Sequence, residues 1–370
     1  MKYKLEDLCT ITSSKRIYRN EYAEKGIPFY RGKEIIEKSN GQPITDELYI
    51  SVEKYNEISK KYGVPKKGDI LITGVGTIGI SYIVDTDERF YFKDGNLIWL
   101  KDFNEKINNQ FIYIYLKSNE FKNEVERIAI GSTQRAITIV ELKKLKIQIP
   151  SLDIQNKIVK IYNSINKKIK LNNQINDNLF KLEKALYKDF LEKLNNYRQE
   201  KLGELCKIKY GKGLPTTKIE KDGYPVYGGN GIIGYYHDFM YDDSQVLISC
   251  RGAASGNVII SKPKSFITNN SLVLECDRKY HHYLKQYSLD NYYYEYTTGS
   301  AQPQITIDNI KDIVINIPKD EELLDFNKNM EVLEQKCFSN LKEIERLEQL
   351  RDILLPKLMN GEIDLDKIEI

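Results

Sequence analysis

Residues 152–197, LDIQNKIVKIYNSINKKIKLNNQINDNLFKLEKALYKDFLEKLNNY, follow Ile149 and Pro150 and decide how the chain is organised. Ile154, Ile158, Ile161, Ile165, Ile169, Ile175, Leu179, Leu182 and Leu186 recur at steps of three and four, with Asn172 interrupting the stripe. The spacing marks a narrow helical seam that must meet another helix, because a lone amphipathic rod would leave the seam in water. No glycine or proline breaks the stretch, so at 1.5 Å per residue it predicts a rod of roughly 65 to 70 Å. Asn172 is expected either to fix helix register through a buried hydrogen bond or to face a partner.

A second rod follows Pro318. Met330, Leu333, Cys337, Leu341, Ile344, Leu347, Leu350 and Leu354 form its stripe, and Pro356 with Gly361 is expected to end it. Residues 152–201 carry 11 Lys/Arg and 6 Asp/Glu, whereas residues 319–370 carry 8 and 14. A basic and an acidic helix attract each other and resist pairing with themselves. Antiparallel pairing is expected, since a parallel pair would need the intervening segment to return along the whole rod.

What precedes each rod is repeated. Leu5, Leu8, Cys9 and Ile11 recur 197 positions later as Leu202, Leu205, Cys206 and Ile208, and Gly26, Pro28 and Tyr30 recur at the same displacement as Gly223, Pro225 and Tyr227. Ile70, Leu71, Ile72 and Thr73 are echoed by Val246, Leu247, Ile248 and Ser249. Gly131, Gln134, Ile137 and Thr138 return as Gly299, Gln302, Ile305 and Thr306. In the first copy the apolar runs 69–73 and 96–100 read as strands, 80–84 as a strand after a glycine loop, and 110–127 as one amphipathic helix. The expected order is therefore globule (1–150), helix (151–198), globule (199–318), and helix with tail (319–370).

A length of 370 residues with 41% hydrophobic and 29% charged residues fits two or three packed domains and not a disordered chain. The five cysteines form no CxxC pair and none stands at finger spacing from His237, His281 or His282. No metal site is expected, and scattered thiols suit a reducing cytoplasm. No apolar leader or run of about 18 apolar residues occurs, so a soluble cytoplasmic protein with no membrane partner is expected.

These repeated segments carry a resemblance. Lys67 to Leu71 with Gly68 and Asp69, the run Tyr227 to Tyr235 around Gly228, Gly229, Asn230, Gly231 and Gly234, the loop Ser249 to Gly256 around Arg251, the stretch Thr268 to Leu272, and the paired 131–138 and 299–306 segments keep one order in duplicate. In this the chain resembles the specificity (S) subunits of type I restriction-modification systems. The resemblance implies an α+β fold of two α/β target-recognition domains related by pseudo-two-fold symmetry, separated by a long antiparallel two-helix coiled coil. It implies that each domain reads one half of a split double-stranded DNA sequence and that the helices set the spacing. It also implies recruitment of two methyltransferase (M) subunits and of restriction (R) subunits. The chain would then be non-catalytic and hold no cofactor, with S-adenosylmethionine, ATP and Mg on the partners.

Base readout needs donors that reach groove edges, with Arg favouring guanine and Asn or Gln favouring adenine. The first-copy candidates are the basic loop Lys15, Arg16 and Arg19, then Arg31 and Lys33, Thr77 in the glycine loop, and Gln134 with Arg135. Arg19 and Arg31 stand out as base contacts. In the second copy they are Lys209, Tyr210 and Lys212, then Tyr227 and Asn230, Arg251 and Ser255 in the second glycine loop, and Gln302 with Gln304. Solvated charge and plain turn structure are the competing readings of all of these. Residues 202–318 hold 12 basic and 12 acidic residues against 25 and 21 in 1–151, so the second copy would lean on hydrogen bonds more than on phosphate charge. Tyr292, Tyr293, Tyr294 and Tyr296 are expected to pack beneath a helix rather than stack on bases. Loop 74–79 lacks a phosphate-loop lysine, and no amino-methyltransferase or nuclease motif is present. Lys157, Lys160, Lys167 and Lys181 mark the face where an M subunit would bind. Two alternatives stay open: the specificity chain of a related two-subunit restriction enzyme, and a coiled-coil scaffold that binds no DNA.

Overall fold

The computed structural model describes residues 2–131, 135–194, 196–299, 302–363 and 365. Its contacts divide the chain into two compact units, one of Met1–Lys170 with Glu345–Ile370 and one of Leu171–Ile344.

In the first unit Lys2–Lys4 pairs antiparallel with Lys146–Gln148, tying the two ends of the first repeat together. An antiparallel sheet runs in the order Thr10–Thr12, Leu97–Lys101, Ile70–Thr73, Ser81–Ile83. Every residue of Ile70–Thr73 is buried. Ile70 and Ile72 enter a core with Phe111, Ile114 and Phe121, whereas Leu71 enters a second core with Tyr82, Phe92 and Trp99. The two-residue period thus feeds two cores from one strand, which is why this run shows no polar alternation. A second sheet pairs Tyr22–Ala23, Tyr49–Ile50, Ile27–Tyr30 and Tyr91–Phe92. The single helix expected over 110–127 is two, Asn109–Lys117 and Asn119–Ile128. Ser118 is extended between them, and its hydroxyl accepts from the Phe121 amide, capping the second helix.

The second unit repeats the plan. Tyr197–Lys201 pairs with Val314–Pro318, and Cys206–Tyr210, Ser271–Cys276, Val246–Ser249 and Val258–Ile260 form the matching sheet. Tyr197 is therefore a strand residue, not the end of the rod, and the helix stops at Lys193. The repeat extends to individual hydrogen bonds. Cys9 Sγ meets the Leu5 carbonyl as Cys206 Sγ meets that of Leu202, and Leu5 N donates to Leu145 O as Leu202 N donates to Ile313 O. Gly26 and Gly223 both hold positive φ, and a Cβ on either would overlap a carbonyl, that of Ile50 or of Tyr236.

The two long helices are Leu152–Lys193 and Asp320–Met359. In the first unit Ile154, Ile158 and Ile161 share a core with Leu354, Leu355 and Leu358, and Arg351 donates to Asn166 Oδ1. In the second unit Asn172 Nδ2 donates to Glu343 at 2.8 Å, Asn340 Nδ2 to Asn176 at 2.8 Å, and Phe190 stacks on Phe326. Rising numbers on one helix meet falling numbers on the other within each unit, so the pairing is antiparallel. Asn172 is buried and makes the expected seam hydrogen bond. The seam drifts from the expected stripe at Leu182, which is exposed while Glu183 is buried. Pro356 lies inside the second helix. The helix ends at Met359, and Gly361 just beyond it is in left-handed conformation, where Glu362 N donates to Lys357 O. Among the described residues no helix is long and apolar enough to cross a membrane, and all five cysteines are free thiols.

Candidate nucleic-acid interface

In both units a set of loops that carries part of the candidate residues leaves one end of the four-stranded sheet. In the first unit Thr12 pairs with Trp99, Thr73 with Leu97 and Ile72 with Ser81, so loops 13–17, 74–80 and 93–96 emerge side by side. Gly74 N donates to Asn96 O, Ile137 N to Gly74 O, and Gly76 N to Arg135 O, binding the glycine loop to the loop before Ile137. A strand, not a helix, follows that glycine loop, so it presents no helix N-terminus to a phosphate.

The second unit reproduces these bonds with different side chains. Cys250 N donates to Asn270 O, Ile305 N to Cys250 O, and Gly252 N to Pro303 O. The bridge between Val75 and Ala136 returns as that between Arg251 and Gln304. The pair Asn96 and Asn270 escaped the sequence reading, although their displacement of 174 lies between those of the flanking motifs. At this end of the sheet Gly211 is hemmed by backbone, and a Cβ there would overlap the Ile267 and Thr268 carbonyls. Gly211→Ala is expected to destabilise by about 2 to 3 kcal/mol, measurable as a lowered midpoint in urea.

Ion pairing sorts the candidates. Arg31 is held by Glu34 and by Asp46 at 2.7 Å, and hydrogen bonds to both keep its guanidinium protonated well above the usual arginine value. Arg16 is bound to Asp94, Arg135 to Glu126, and Lys33 lies 4.0 Å from Glu37. Lys15 stands over the Tyr62 ring. Arg31, Lys33, Asp46, Thr73, Thr77 and Asn96 line one cavity of about 620 Å³. Arg19 sits elsewhere, on a one-turn 3-10 helix whose Glu21 pairs with Lys54. Gln134 lies outside the described residues.

In the second unit Lys209 is paired with Glu275 and Tyr210 is exposed. Lys212 and Asn230 are exposed, the latter at the tip between Tyr224–Gly228 and Gly231–Tyr236. Two candidates are interior struts rather than surface groups. Tyr227 is 5% exposed and its hydroxyl accepts from Lys262 N, and Ser255 is 2% exposed and donates to Pro303 O. Their side chains shape the loops and offer nothing to a ligand. Arg251 is exposed, and among the described residues its guanidinium meets no carboxylate. Gln302 and Gln304 are exposed beside it.

The tyrosine block divides. Tyr293 packs, 2% exposed, with its hydroxyl 3.0 Å from Ser288 Oγ. Tyr292 and Tyr294, 70% and 46% exposed, stack on each other with ring centroids 5.9 Å apart. Gly256 backs onto Tyr294 N, and the Tyr294 hydroxyl meets the Asn257 side chain, so this aromatic pair flanks the Arg251 loop. Of the helix lysines, Lys160, Lys167 and Lys181 are exposed, and Lys157 is half-buried against Asp153.

The family profile described as "Type I restriction modification DNA specificity domain" matches residues 1–181 and again 195–352. The chain belongs to that family. A Haemophilus influenzae relative named as a type I restriction enzyme specificity subunit is 38% identical over 159 residues, a match spanning 43% of this chain and only 38% of the relative. The EcoprrI specificity subunit of Escherichia coli is 24% identical over 326 residues, 81% of this chain and 78% of that one. Among solved structures, the type I restriction-modification S subunit from M. genitalium aligns over 97% of this chain and 95% of its own length. Its TM-score is 0.60 at 19% identity, a likeness of fold. The two profile matches fall on the two halves of the repeat, so this specificity subunit carries the family domain twice.

Proposed function

We propose that this specificity subunit reads a split DNA sequence, each sheet end addressing one half, and that it recruits two methyltransferase subunits and, with them, restriction subunits. It would serve as a non-catalytic reader, with S-adenosylmethionine, ATP and Mg held by the partners. The observation that carries this reading is the duplicated sheet end. The same backbone hydrogen bonds recur around Gly74 and Cys250, while the side chains they present differ: Thr77 and a carboxylate-bound Arg31 on one, Arg251, Gln302 and Gln304 on the other. A common scaffold with unlike readers is what two half-sites of unlike sequence require. The first sheet end, with its larger share of cations, would take more of the phosphate contacts.

The test is a methylation map of a host that carries the partner methyltransferase, with and without this chain. The expected result is one methylated motif of two short halves around a fixed spacer, present only with the chain. An unchanged map would refute the reading. Binding of the assembled complex to that motif is expected to weaken steeply with salt, as counterion release demands; a scrambled duplex bound equally well at about 150 mM salt would count against base readout.

A further inference from the structure

Inside the second unit, helix Arg278–Asp290 brings two imidazoles to a carboxylate of the second long helix. We propose that His281, His282 and Glu334 bind one divalent transition-metal ion of the zinc type, which pins helix Arg278–Asp290 to Asp320–Met359. The proposal is independent of any DNA reading.

One donor atom from each of the three residues lies within 4.8 Å of the other two. His282 is 8% exposed, and its Nδ1 is buried with no hydrogen-bond partner. A buried imidazole nitrogen left unpaired is unfavourable unless something else engages it. Ser244 Oγ adds a fourth group, 3.3 Å from His281 Nε2 and 3.2 Å from Glu334 Oε1. Metal bonds of about 2.0 to 2.2 Å would place neighbouring donors roughly 3.4 Å apart, so from a separation of at most 4.8 Å the donors need to close by up to about 1.4 Å.

Burial disfavours the charged form of both imidazoles, lowering the pKa of His281, and that of His282 to about 4. Burial opposes charge on Glu334, but the Lys285 ammonium, by charge and by hydrogen bond, holds its carboxyl below the usual range. Two nitrogens and one carboxylate oxygen favour zinc, cobalt or nickel over calcium or magnesium. Lys285, 3.0 Å from Glu334 and 3.2 Å from Glu183, is the competing cation. It can remain between the two carboxylates while the ion takes the Glu334 oxygen it leaves open. A cavity of about 400 Å³ lies on the Glu334 side of the cluster, lined in part by Glu334, Lys285, Cys337 and Phe338.

The full chain, stripped with a chelator, would be titrated with Co²⁺ alone and read by visible absorption, then back-titrated with Zn²⁺. The expected result is one Co²⁺ per chain, displaced by Zn²⁺. Affinity should fall about tenfold or more in His281→Gln and binding should vanish in His281→Gln with His282→Gln, helix content by circular dichroism remaining unchanged. If the double variant unfolds, His281→Gln decides, because His281 is only half-buried. No absorption change in the wild-type chain, or Co²⁺ uptake undiminished in His281→Gln, overturns the proposal.

Discussion

Replacing Lys285 by alanine is expected to destabilise the second unit by about 3 to 5 kcal/mol. The Lys285 side chain is 8% exposed and lies 3.2 Å from Glu183 and 3.0 Å from Glu334, whose side chains are 6% and 14% exposed. Gln286 also donates to Glu183 and Ser244 to Glu334, so the ammonium is the centre of a buried hydrogen-bonded cluster. Its removal leaves two carboxylates out of water without their counter-ion, which is far worse than losing the cluster outright. A triple change, Lys285→Met with Glu183→Leu and Glu334→Leu, should therefore recover most of the loss. Urea denaturation followed by circular dichroism checks both; a Lys285→Ala midpoint equal to wild type would show that the cluster is solvated.

Truncating Arg251 to alanine is expected to weaken binding to the cognate duplex by about 1 to 3 kcal/mol, roughly 5- to 150-fold, and to relax selectivity at one base pair of one half-site. The reason is positional. The Arg251 backbone is fixed by its bridge to Gln304, its side chain is exposed, and it need not give up a carboxylate to meet a base. Arg31, by contrast, must first leave Glu34 and Asp46, so Arg31→Ala is expected to affect fold stability more than readout. Fluorescence anisotropy on duplexes substituted one base pair at a time measures the difference. A uniform loss across all duplexes would assign Arg251 to phosphate instead. The unfolding midpoint should stay at the wild-type value in either case, since the side chain lies in water.

How far the sequence revealed this molecule depends on the range of each interaction. The duplicate framework was readable because it is written in local motifs. Leu5 with Cys9 and Leu202 with Cys206 make the same turn in both units, and Gly26 and Gly223 meet the same backbone crowding. The pairing of the helices follows from two stripes and their opposite charges, and its antiparallel sense from the long return that a parallel pair would need. Errors arose where a distant partner overrides the local pattern. Tyr197 continues the apolar rhythm of the rod, yet strand Val314–Pro318 claims it. Leu182 fits the stripe, but Glu183 is drawn inward by Lys285, more than a hundred positions away. Pro356 reads as a stop, yet the missing amide falls in the last turn, where Asn360 N still closes onto the Pro356 carbonyl. The break at Ser118 had a local signal, a serine three positions before Phe121, which the continuous apolar spacing concealed.

The interface residues divide in the same way. Which loops share an end of the sheet depends on strand order, which the repeat alone does not give. Which cations stay free is not legible either, because Asp94, Glu126 and Asp46 reach their arginines through tertiary contacts. Tyr227 and Ser255 were chosen for their motifs, and both are held inside by hydrogen bonds to the distant Lys262 and Pro303. The grouping of His281, His282 and Glu334 has no signature in spacing, since Glu334 lies 52 positions beyond His282 on a different helix.

The claim that each unit reads its own half-site is tested most directly by a hybrid chain. Residues 199–318 would be replaced by the equivalent segment of another family member, and the methylated motif mapped in a host supplying the methyltransferase. The account predicts that one half of the motif changes, while the other half keeps its sequence. A motif in which both halves change, or neither does, would contradict it.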